Sequence, residues 1–115
     1  MLFRSLASCH QALRLLGTLS DRRAEAYTWD TMGYAHHHLG EHSRAIECYQ
    51  HALDLLRDLG DLRSEADMLT HLGDAQQDRS DADAARDSWR QALAILDELD
   101  APGADRIRAR LRAVD

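Results

Sequence analysis

Slid against itself by 40 residues, this 115-residue chain brings small, aromatic and leucine positions into one register. Gly33 meets Gly73, Ala45 meets Ala85 and Tyr49 meets Trp89. Ala12, Ala52 and Ala92 align, as do Leu13, Leu53 and Leu93, then Leu16, Leu56 and Leu96, then Leu19, Leu59 and Leu99. Arg23, Glu25 and Ala26 meet Arg63, Glu65 and Ala66. So many matches in a single register are not chance. A repeat of this length describes a stack of supersecondary units, each of which buries its apolar face only against its neighbours.

Each unit reads as two helices. Ala45, Tyr49, Ala52, Leu53 and Leu56 recur at helical spacing. With one proline and six glycines, the chain has the composition of long helices joined by short turns. The first helix of a unit is expected over about 21–39 and again over 61–79, the second over about 41–59 and 81–99. Gly60–Asp61 and Ser80–Asp81 are breakers followed by N-cap residues. Gly40 closes the first turn, and its counterpart Ser80 is a poorer C-cap and a good N-cap. Gly33, Gly73, Ala45 and Ala52 let the two helices approach. Trp29, Met32, Tyr49, Leu69, Leu72 and Trp89 fill the space between them.

Residues 2–19 match a second helix without its first. Arg4 and Arg14 with no acid in the opening stretch have the composition of a targeting peptide, but the repeat register makes this an ordinary amphipathic helix. After Leu99, Pro102–Gly103 break the chain. A capping helix follows over 103–113, with Ile107 and Leu111 as its apolar stripe. The whole chain, 1–115, is one all-α domain, divided as 2–19, 21–60, 61–100 and 103–113.

Trp29, Met32, Gly33, His36, Gly40, Ala45, Tyr49 and Ala52, with Leu69, Leu72, Gly73, Gln76, Ala85, Trp89 and Ala92, resemble the tetratricopeptide repeat. The departures are His36 and Gln76 where tyrosine is usual, no proline closing the second helix, and a period of 40 rather than 34. The resemblance implies an αα-superhelix of two full helix pairs with an extra helix at each end. Its first helices would line a concave groove at Tyr27, Asp30, Tyr34, His37 and His38, then Asp67, Thr70, Asp74, Gln77 and Asp78. Members that clamp a C-terminal carboxylate use Lys, Asn and Arg where this chain has Asp30, Thr31 and Tyr34, so that clamp is not expected. The string L-G-D-x-R-x-E-A followed by L-x-x-L-G, within residues 55–75, is similar to long repeats in bacterial transcriptional activators of the Streptomyces antibiotic regulatory and LuxR types. There such repeats follow DNA-binding and NTPase domains. This chain carries neither a G-x-x-x-x-G-K-[ST] loop nor a basic recognition helix.

The function expected is therefore a non-catalytic protein-interaction module, the sensor or scaffold arm of a larger cytoplasmic regulator. Its partner would be a basic or mixed apolar–basic peptide or a neighbouring domain. A net charge of −6 argues against a nucleic-acid surface, no apolar run is long enough to span a bilayer, and no cofactor is implied. A rival is the regulatory lobe of an enzyme using Asp30, Asp74 and His37. A third reading is self-assembly, as a homodimer through Leu2, Phe3, Leu6, Leu13 and Leu16. The consecutive His36, His37 and His38 point about 100° apart on a helix and cannot share one ion. They read as polar repeat positions, since their counterparts are Gln76, Gln77 and Asp78. Cys9 is expected to be a buried hydrophobe and Cys48 to be more exposed.

Overall fold

The computed structural model describes residues 2–19 and 21–114, and the side chains of 6–15 and 21–114. These residues form six helices: α1 (Leu2–Leu19), α2 (Arg22–His38), α3 (His42–Leu59), α4 (Leu62–Asp78), α5 (Ala82–Glu98) and α6 (Ala104–Val114). Each packs mainly on its neighbours in the chain. The result is the all-α superhelix that the repeat implies, elongated at 41 × 30 × 19 Å.

The turns explain the regularity. Asp21, Asp61 and Asp81 each precede a helix, and each carboxylate accepts the backbone N–H three residues on, at 3.1–3.2 Å. A cap of this kind stabilises a helix by about 1 kcal/mol. The chain then leaves each helix through a left-handed residue, at Gly40, Gly60, Ser80 and Asp100. At all four turns the N–H of the left-handed residue and the next N–H bond back to helix carbonyls, for example Gly40 N to His37 O and Glu41 N to His36 O. Ser80 therefore serves as the left-handed residue, and the N-cap role falls to Asp81.

The main core joins α2 to α6. Ala45, Ala52, Ala66, Ala75, Ala85 and Ala92 are fully buried, which is what lets the helix backbones approach. Tyr49 lies over Gly33, where an added Cβ would meet the ring at 2.6–2.9 Å. Trp89 lies over Gly73 in the same way, with the indole Cδ1 at 2.5 Å from such a Cβ. Met32, Leu69 and Leu72 are buried, and Trp29 is partly buried and stacks on His51 at 4.4 Å.

A smaller cluster holds α1 in place. Cys9, Met32 and Cys48 are buried together, with Leu6, Leu13 and Trp29 against them. Cys48 is thus as buried as Cys9, at 5% and 6% exposure, contrary to the expectation from its place in the repeat. The physical reason is α1, which covers that flank of α3. Burial pushes the Cys48 thiol up to about 11 and raises Cys9 as well, so neither is an activated nucleophile.

Candidate functional site

α2 and α4 carry the residues that the resemblance assigns to a groove. The helical period puts 27, 30, 34, 37 and 38 on one stripe of α2, and 67, 70, 74, 77 and 78 on one stripe of α4. The two stripes are laced together by polar rungs between residues about one repeat apart. Arg23 pairs with Asp61. Tyr27 Oη and Ser64 Oγ lie 3.3 Å apart. Asp30 Oδ1 is 3.1 Å from His71 Nδ1. Asp78 Oδ2 is 2.5 Å from His37 Nε2. The Ser64 backbone N–H above all, with the Arg23 guanidinium beside it, holds the Asp61 carboxyl below the usual carboxylate range.

The next step of the same ladder runs from α4 to α6. Asp74 accepts Arg110 Nε at 2.8 Å and Arg110 Nη2 at 3.2 Å, and Trp89 Nε1 donates to it at 3.2 Å. Asp74 and Arg110 line two clefts, of about 350 and 450 Å³, so this ion pair is the wall between them. The first cleft lies between α4 and the start of α6, among Asp67, Thr70, His71 and Arg106. The second opens beside His37, Gln77, Asp78 and Val114.

This pairing changes the electrostatics that spacing alone suggests. Asp30, Asp74 and Asp78 are each answered by a basic or imidazole group within the chain. The remaining acid of the stripe is Asp67, exposed beside Arg63 and His71, its carboxyl raised by partial desolvation in the cleft. Thr70 turns its hydroxyl back to the Ala66 carbonyl at 2.9 Å. The most open large groups are aromatic: Tyr27 is 46% exposed and Tyr34 55%, with His38 tilted on Tyr34 at 4.0 Å.

His71 was not among the residues assigned to the groove. Its ring is bonded to Asp30, which raises its affinity for a proton above the ordinary histidine value, and Asp67 and Asp74 add to that effect while burial opposes it. The signal was present in the sequence, because 67, 70, 71 and 74 share one helix stripe. It was masked because the counterpart one repeat earlier is Thr31, not a titratable residue. Arg110 was missed for another reason: only the turn at Pro102–Gly103 decides which face α6 presents to α4.

The proposed enzyme-like trio does not form a common centre. Asp30 bonds to His71, Asp74 to Arg110 and Trp89, and His37 to Asp78. Of the α1 residues assigned to self-association, Leu6 and Leu13 are partly buried against the Cys9–Met32–Cys48 cluster. Leu2, Phe3 and Leu16 lie outside the residues whose side chains are described. No described helix is long and apolar enough to cross a membrane.

A family model described as tetratricopeptide repeat matches residues 22–98, more than half of the chain. No curated protein matches it.

Proposed function

The chain belongs to the tetratricopeptide repeat family, and from that premise we propose that it binds an extended peptide or a neighbouring domain along α2 and α4, without catalysis. Stacked helix pairs of this kind bury one continuous core and leave a long concave face free, and proteins so built bind other proteins there. The observation that carries the reading is the pair of half-exposed tyrosines, Tyr27 and Tyr34, two helical turns apart on the α2 stripe. Tyrosine offers a partner large contact area at small entropic cost, with a face that attracts cations. Asp67 lies nearby on the α4 stripe. Together they favour a basic or mixed apolar–basic segment. The L-G-D-x-R-x-E-A string of residues 59–66 supports a place in the sensor or scaffold arm of a bacterial regulator.

Because Asp30 and Asp74 hold the rungs and α6, reversing their charge would damage the scaffold as well as the face. The cleaner test replaces Tyr34 by alanine, and Tyr27, whose hydroxyl lies on the Ser64 rung, in a separate variant. Isothermal titration with basic, aromatic-containing peptides should find a salt-weakened complex. Tyr34→Ala, with unchanged helicity, should bind about ten-fold or more weakly, in line with the loss of an aromatic hot spot. Tight, salt-insensitive binding of an acidic peptide would overturn the reading.

A second reading, self-association through α1, has one observation in its favour. Leu15 is 61% exposed on a helix whose inner side is already used.

A further inference from the structure

Five histidines fall within residues 33–53, and their side chains take separate roles. His36 Nδ1 is 3.2 Å from Glu41 Oε1, at the turn that follows α2. His38 Nδ1 is 3.0 Å from the Tyr34 carbonyl oxygen. His51 stacks on Trp29. His37 and His42 turn toward each other and toward Asp78, and the His38 ring lies 5.8 Å from that of His37 while its Nδ1 stays on the Tyr34 carbonyl. The His37 and His42 rings meet edge to face with centroids 5.7 Å apart, and His37 Nε2 already touches the Asp78 carboxylate at 2.5 Å.

We propose that His37, His42 and Asp78 form a binding site for a single borderline dication of the Zn²⁺ type. One donor atom from each residue lies within 4.8 Å of the other two. A tetrahedral zinc ion, with bonds of about 2.0–2.2 Å, holds its donors about 3.4 Å apart, so small side-chain rotations close the set. Two imidazoles and one carboxylate suit zinc, cobalt or nickel, whereas calcium and magnesium ask for oxygen donors throughout. Asp78 is the exposed member, with 55% of its side chain open, so a fourth position faces solvent and takes water.

Two further observations support the site. The Nδ1 atom of His42 is buried and makes no hydrogen bond among the described residues. That nitrogen therefore has no protein partner to set its protonation, and coordination of the ring would fix the tautomer. The site also stands where two helices end. α2 finishes at His38 and α4 at Asp78, so two helix C-termini, which favour a cation, outnumber the one N-terminus there, where His42 opens α3.

The sequence hides this arrangement. His37 and His42 are separated by the Gly40 turn, and Asp78 arrives from the following unit. Neither has a ligand as its repeat counterpart, since those positions hold Gln77 and Ala82. An ion here would tie the end of α2 and the start of α3 to the end of α4. It would thereby fix the angle between the two helix pairs and the opening of the adjacent cleft.

The test uses the full chain without a histidine tag, stripped with a chelator. Zn²⁺ is titrated by calorimetry and Co²⁺ by visible absorption. The expected result is one ion per chain, intense tetrahedral Co²⁺ bands and a melting temperature raised by Zn²⁺. Binding should weaken as pH falls below the histidine range, because protons compete for both rings. His42→Gln and Asp78→Asn should each weaken binding by about ten-fold or more, since even outer-shell losses cost that much. His38→Gln should leave it unchanged. Asp78 is exposed, so Asp78→Asn remains informative even if His42→Gln disturbs folding. The proposal is overturned by an absence of saturable binding, by binding that survives Asp78→Asn, or by equal weakening from His38→Gln, which would mark adventitious capture by the histidine tract.

Discussion

Single residues set how closely the helices can approach. Trp89 sits on the bare Cα of Gly73, and its indole N–H is tied to Asp74, which Arg110 holds in turn. The ring cannot slide away from a new methyl group without breaking that chain. Gly73→Ala is therefore expected to destabilise the fold by about 1–3 kcal/mol, read as a lower urea midpoint with an unchanged slope. An unaltered midpoint would mean that the indole repacks freely. Ser80 presents the opposite case. It holds a left-handed φ of 69° with nothing but its turn to require it. Ser80→Gly removes the Cβ strain and should stabilise the protein by up to about 1 kcal/mol, while the same change at Ser43, inside a helix, should destabilise it.

Polar rungs join α2 and α4 across the repeat. The Asp30–His71 rung between α2 and α4 is one whose histidine is held above its ordinary pKa. Asp30, Asp67 and Asp74 all act to raise the folded-state pKa of His71, and the Tyr49 ring lies beside it at 5.6 Å. A raised folded value means that the contribution to stability is complete below the unfolded value near 6.5 and is lost as pH rises through the folded value. NMR titration should place His71 above an ordinary histidine, and Asp30→Asn should bring it down and flatten the stability profile in that window. An unshifted His71 resonance would show the rung to be open in solution. At the far end, α6 is held by Ile107, 3% exposed, and by Arg110 on Asp74. Ile107→Ala should cost about 2–4 kcal/mol, with hydrogen exchange rising first in α6 if that helix peels off before the rest.

Across the whole stack the first and last described helices differ. α6 is tied down by its arginines, bonded to Asp74, Asp97 and Asp105. α1 leaves Leu15 open to solvent. Self-association through α1 predicts a mass that rises with concentration in light scattering, and Leu15→Glu should return it to about the 13.0 kDa of one chain. A constant mass across the micromolar range would leave α1 as a plain end helix. The match to the family model, over residues 22–98, spans α2 to α5.

Periodicity sufficed to determine the fold. A period of 40 residues with glycine and alanine at fixed offsets dictates paired helices in close contact, and Asp21, Asp61 and Asp81 mark their starts, because capping is a local matter of a few consecutive residues. The α2 and α4 stripes, including Tyr27 and Tyr34, came from the resemblance to the repeat family and not from periodicity. Tertiary structure decided everything that depends on residues from different repeats. Side chains at non-equivalent positions meet across the stack, and a repeat alignment compares only equivalent ones. That is why His71 neutralises Asp30, why Arg110 takes up Asp74, and why α1 buries Cys48. It is also why two histidines on either side of a turn meet an aspartate 36 residues beyond the second of them. The charge along α2 and α4 is thus a property of the stack, fixed by which rungs close, and no single repeat contains it.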